Sequence, residues 1–81
     1  MAKPSPTHAG DQVLIGLGAA IRNARLELGL SQEALAIDAG IDRSYMGGIE
    51  RGEHNLAAIN IVKIANALEV KPSALFEAAG F

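Results

Sequence analysis

The stretch Ser31-Gln32-Glu33-Ala34-Leu35-Ala36, continuing through Ala39-Gly40-Ile41-Asp42-Arg43-Ser44-Tyr45-Met46-Gly47-Gly48-Ile49-Glu50-Arg51-Gly52, decides the fold. Ser31 is an N-cap residue: its hydroxyl oxygen can accept from the unpaired amides of the next turn, and Glu33 puts a negative charge at the positive end of the helix dipole. Leu35, Ala36 and Ala39 then make a short apolar face that Gly40 stops. Ile41 is a buried-type residue in the turn. Asp42 is a second N-cap, and a third helix over 43–51 turns Met46 and Ile49 inward before Gly52 ends it. Two short helices joined by about three residues that include a glycine form a helix-turn-helix unit.

On the N-terminal side, Leu14, Leu17, Ile21, Ala24 and Leu28 step by three and four from Val13 onward. Gly29 sits where a helix C-terminus favours a left-handed residue, so helix one ends there. Residues 1–11 hold Pro4, Pro6 and Gly10 without periodicity and read as a flexible arm, His8 included, ahead of a domain over 12–81. On the C-terminal side, a fourth helix runs over about 57–68, with Ala58, Ile61, Val62, Ile64, Ala65 and Leu68 on a broad apolar face. Pro72 suits the first position of a fifth helix that carries Leu75 and Phe76. No segment alternates with period two, so the fold class is all-α, a compact bundle of five helices.

At 81 residues the chain holds one domain with a core just large enough to fold unaided. It has no cysteine, which excludes disulfides, thiolate metal sites and cysteine nucleophiles and tilts the expectation towards the cytosol. Two histidines, His8 and His54, cannot build a metal site alone, and neither metal nor cofactor is expected. No apolar run reaches the roughly 20 residues of a membrane span and no signal peptide is visible, so a soluble cytoplasmic protein without a membrane partner is expected. No nucleophile stands beside a base and no glycine-rich phosphate loop follows a strand, which argues against an enzyme. The net charge of −2 would not by itself suggest nucleic acid. Three aromatic residues, Tyr45, Phe76 and Phe81, are too few for a platform that stacks single strands.

The run Arg22-Asn23-Ala24-Arg25, with the caps, the two glycine stops and the string Ile49-Glu50-Arg51-Gly52, resembles the XRE/Cro helix-turn-helix family of lambdoid phage repressors. Asp42-Arg43-Ser44-Tyr45 before Gly48-Ile49-Glu50-Arg51-Gly52, then Asn55-Leu56 and the ending Leu68-Glu69-Val70, is most similar to the controller proteins of restriction-modification systems. The resemblance covers residues 14 to 77. It implies a lambda-repressor-like fold and a homodimeric, sequence-specific transcriptional regulator of double-stranded DNA. Such a regulator occupies a palindromic operator and either blocks or recruits RNA polymerase; for the controller type, autoregulation and timing of endonuclease expression are also implied.

A recognition helix offers its N-terminal residues to base edges in the major groove. Arg43 is the first candidate, since its planar fork pairs with guanine O6 and N7 and one such contact contributes ~1–3 kcal/mol of discrimination. Ser44 and Tyr45 rank second, as partners of a base, a phosphate or the sugar-phosphate edge. The family's further base reader, one turn along, falls on Gly48 here, so direct readout should be sparse and DNA shape should carry more. Ser31 and Gln32 stand at a helix N-terminus that attracts phosphate, and the resemblance implies that Gln32 clamps the backbone there. His54 and Asn55 lie in the loop the family uses for a second phosphate contact. His54 reads as an exposed loop histidine, and if it reaches a phosphate, affinity should rise as pH falls below about 6.5.

Several of these residues also have plain structural readings. Ser31 and Asp42 are caps first. The resemblance pairs Arg25 with Glu50, and such a half-buried pair holds the recognition helix to its scaffold. Ile59, Leu75 and Phe76, with Phe81, are candidates for a dimer surface made by helix five and the start of helix four; for Leu75 and Phe76, capping the monomer core is an equal alternative. Between Ser31 and Asn55, Arg43 and Arg51 face Glu33, Asp38, Asp42, Glu50 and Glu53, so non-specific affinity should be low. The competing function is a protein-interaction module, antitoxin-like or an anti-regulator, that keeps the fold without specific DNA binding.

Overall fold

The computed structural model describes residues 9–81. The arm expected over most of 1–11, and His8 within it, fall outside the described residues. Five helices follow in order: α1 Gln12–Glu27, α2 Gln32–Ala39, α3 Arg43–Glu50, α4 Ala58–Ala67 and α5 Pro72–Ala78, with no strand among the described residues. The helix count and the all-α class are as the periodicity predicts, and the boundaries agree to within about two residues.

The caps behave as the residue types require. Ser31 Oγ accepts from Ala34 N–H at 3.0 Å, and Gly40 ends α2 in the left-handed region at φ 68°. Asp11, the last residue of the expected arm, is instead the N-cap of α1, accepting from Val13 N–H at 2.9 Å. Gly10 N–H donates to Gly52 O at 3.0 Å, so the start of α1 is tied to the end of α3.

Leu17, Ile21, Leu35, Met46, Ile49, Ile64, Leu68 and Leu75 fill the centre. α1 and α3 approach closely because Gly18 has no side chain: a Cβ there would lie 2.4 Å from Ile49 O and 2.7 Å from Glu50 O. The end of α3 therefore packs directly onto the α1 backbone.

The C-terminal apolar residues divide. Leu75 is 2% exposed and belongs to the core, which corrects its assignment to a dimer surface: α5 turns it against α1 and α4. Phe76 is partly buried against the same core. Ile59 and Phe81 are open, at 60% and 63% exposure. α4 ends with Glu69 at φ 60°, a left-handed position normally given to glycine, where Glu69 N–H donates to Asn66 O and Val70 N–H to Ala65 O.

Candidate nucleic-acid interface

α3 begins at Asp42, whose carboxylate accepts from Tyr45 N–H at 3.2 Å and from the Ser44 hydroxyl. These two donors, Ser44 first, hold the Asp42 carboxyl below its ordinary range. The Ser44 proton is thus committed within the cap. Ser44 retains only acceptor capacity, which suits a donor group on a base and not a phosphate and so narrows its expected role as a donor or acceptor.

The far end of α3 is locked from below. Arg25 donates to Glu50 through Nε at 2.7 Å and Nη2 at 3.0 Å, in the bidentate geometry of the strongest carboxylate pairs, and through Nη1 to Leu30 O at 2.8 Å. The hydrogen bond that it donates to Glu50 raises the Arg25 guanidinium above its ordinary pKa against the opposing effect of burial. Gln32 Nε2 donates to Glu50 Oε1 at 3.0 Å. One carboxylate therefore joins α1, the N-terminus of α2 and α3. The Arg25 and Glu50 pairing is as expected; Gln32 differs from expectation, because its amide is held inward and half-buried and only its remaining N–H and oxygen are open.

On the outer side, Arg43, Gly47 and Arg51 recur at four-residue steps and, with Ser44 and Gln32, line a hollow of about 140 Å³. Gly47 lines the hollow but is itself buried beneath the Arg51 and Gln32 side chains, whereas Gly48 is buried on the inner side against His54, where a Cβ would stand 2.3 Å from Nε2. A step of four from Arg43, set by the 3.6-residue turn, lands on 47.

His54 is also placed differently from the expectation of an exposed loop residue. It is 6% exposed, its ring lies 4.4 Å from that of Tyr45 at 40°, and its Nε2 is buried without a hydrogen-bond partner. The missing side chain of Gly48 is what admits the imidazole. His54 offers no surface to a phosphate, and the pH dependence expected through such a contact loses its basis. Tyr45 is half-buried with one side of its ring on His54. Asn55 and Ser31 are exposed.

Arg51 was not among the residues singled out in the sequence, although its spacing of eight from Arg43 places it on the same face. Its Nε donates to Glu53 Oε2 at 2.8 Å and its Nη2 to Oε1 at 3.2 Å. The pair is open to solvent, and Arg51 holds the Glu53 carboxyl below the ordinary range.

Two short capped helices, α2 and α3, joined by a glycine turn and locked together through Glu50, define the helix-turn-helix class of transcriptional regulator. The chain belongs to the helix-turn-helix family, whose sequence model matches residues 21–75. It is 41% identical over 61 residues to the control protein C.BamHI of Bacillus amyloliquefaciens, covering 74% of this chain and 75% of that one. It is 34% identical over 67 residues to the control protein C.MunI of a Mycoplasma species, covering 82% and 90%. Among solved structures, the restriction-modification controller protein C.AhdI of Aeromonas hydrophila superposes with a TM-score of 0.75 at 48% identity, covering 76% of this chain and 94% of that one. The resemblance to XRE/Cro regulators and to controllers is borne out, as is the lambda-repressor-like fold. No helix among the described residues is long and apolar enough to cross a membrane.

Proposed function

We propose that the protein is a homodimeric, sequence-specific regulator that binds a palindromic operator with α3 in the major groove, in the manner of a restriction-modification controller. The observation that carries this reading is the hollow on the outer side of α3, edged by the exposed Arg43 and Arg51 with buried Gly47 beneath them, on a helix whose own charged end, Glu50, is fully engaged inward. Arg43 is the principal base reader; Ser44 and Tyr45 contribute less, because one is tied to the cap and the other packs on His54. Ser31, the free part of the Gln32 amide and Asn55 are the backbone contacts.

A dimer is required because one such module reads too few base pairs to select a site. Extents of 31 × 29 × 20 Å suit two domains set side by side on half-sites about 34–36 Å apart. Ile59 and Phe81, with the exposed part of Phe76, are the proposed contact between subunits. Occupying the operator would then block or recruit RNA polymerase.

Selection of bound sequences from random duplex DNA, with sedimentation of the protein alone, tests the proposal. Recovery of a two-fold-symmetric motif by a dimer supports it. Absence of enrichment by a folded protein contradicts it and favours the interaction module.

A further inference from the structure

Arg51 stands on the open face of α3 beside Gly47, yet its guanidinium is engaged by Glu53 in the bidentate geometry that a phosphate would otherwise take. Of the two basic side chains between Ser31 and Asn55, this leaves Arg43 alone without a carboxylate partner. Gly47 leaves the space over which Arg51 lies: a Cβ at 47 would meet Arg51 Nη1 at 3.2 Å. The pair is 58% and 30% exposed at its two side chains, so it has little structural role. Both partners are free to exchange for other ions.

We propose that Glu53 is a specificity-determining residue that acts as an internal substitute for DNA phosphate, holding Arg51 out of contact with the backbone so that the protein gains little from arbitrary DNA. Only a duplex seated well enough on Arg43 brings a phosphate within reach to displace Glu53 from Arg51. The pair thus suppresses the sequence-independent part of binding, which phosphate contacts otherwise supply, and leaves the sequence-dependent part intact. This inference rests on the proposed DNA-binding function.

The test is a double-mutant cycle over Glu53→Gln and Arg51→Ala, read as the affinity of the full chain for a mixed-sequence duplex across a salt series. In an otherwise unchanged protein, Glu53→Gln should steepen the salt slope by about 0.9 per subunit, about 1.8 for the dimer, so that the gain over wild type at 50 mM salt exceeds that at 200 mM by about 12-fold. In the Arg51→Ala background the same substitution should change neither slope nor its salt-dependent gain. An equal gain in both backgrounds would mean that Glu53 acts only as a nearby negative charge and would overturn the inference. So would an unchanged slope in Glu53→Gln with wild-type binding intact. Absence of DNA binding by the wild type and all variants, each folded by circular dichroism, would overturn the DNA-binding function and this inference with it.

Discussion

Removing the Glu50 carboxylate tests how α3 is held. Glu50 accepts two hydrogen bonds from Arg25 and one from Gln32, and its side chain is 2% exposed. Glu50→Ala leaves the Arg25 guanidinium, itself 10% exposed, with Leu30 O as its remaining partner in the described structure. Breaking one side of a buried pair costs about 3–5 kcal/mol, and the surviving Leu30 bond argues for the lower end, about 3 kcal/mol. For a domain of this size that corresponds to a fall in Tm of about 12–24 °C. Replacing both partners, Arg25→Met with Glu50→Leu, removes the uncompensated charge, so stability should return most of the way to wild type. DNA binding should not recover with it, because the tie between α1, α2 and α3 is gone. Urea unfolding of the three proteins, with gel-shift on the selected operator, measures both quantities. A loss below about 1 kcal/mol in Glu50→Ala, or full DNA affinity in the double variant, would refute the reasoning.

The two adjacent glycines of α3 should respond in opposite directions. Gly47→Ala gains up to ~1 kcal/mol of helix propensity, because the nearest atoms are the movable ends of Arg51 and Gln32, whereas Gly48→Ala should cost about 1–3 kcal/mol through its overlap with buried His54; urea melts decide both. Glu69→Gly should stabilise by up to ~1 kcal/mol by relieving a left-handed backbone at an exposed residue, and an unchanged melting curve would count against that strain. The Asp42 carboxyl is depressed in the folded state, so its contribution is present above the ordinary value of 3.8 and is lost as pH falls through the lower folded value. Asp42→Asn lacks that titration; the stability of wild type relative to the variant should therefore hold steady at neutral pH and decline below about pH 4, as urea melts across a pH series would show.

The fold was legible because local signals and global packing agree. Ser31 and Asp42 cap, Gly40 and Gly52 stop, and of the apolar steps marked on α1 and α4, Leu17, Ile21, Ile64, Ala65 and Leu68 are buried while Leu28, Ala58 and Val62 stay exposed. The Arg25 and Glu50 lock was legible only through the family resemblance, since a separation of 25 residues carries no local signal. What the sequence concealed lies where a side chain's position depends on its neighbour's absence. Polar character and a loop position suggested an exposed His54, but the space left by Gly48 admits the ring to the interior. Spacing alone does not say whether Leu75 caps the core or faces a partner, because α5 is short and both faces carry apolar residues. The steps of four from Arg43 through Gly47 to Arg51 are the signal in the sequence for the shared hollow that Arg51 lines.

The most direct test of the central claim compares wild type with Arg43→Ala on the DNA motif recovered by selection and on unrelated DNA. Arg43 is exposed at the start of α3, so its truncation should leave folding intact. Loss of a bidentate base contact removes ~1–3 kcal/mol of discrimination per half-site, a fall of about 5- to 150-fold for each of the two half-sites in the ratio of specific to non-specific affinity. An unchanged ratio in a folded Arg43→Ala dimer would contradict the assignment of α3 as the helix that reads DNA.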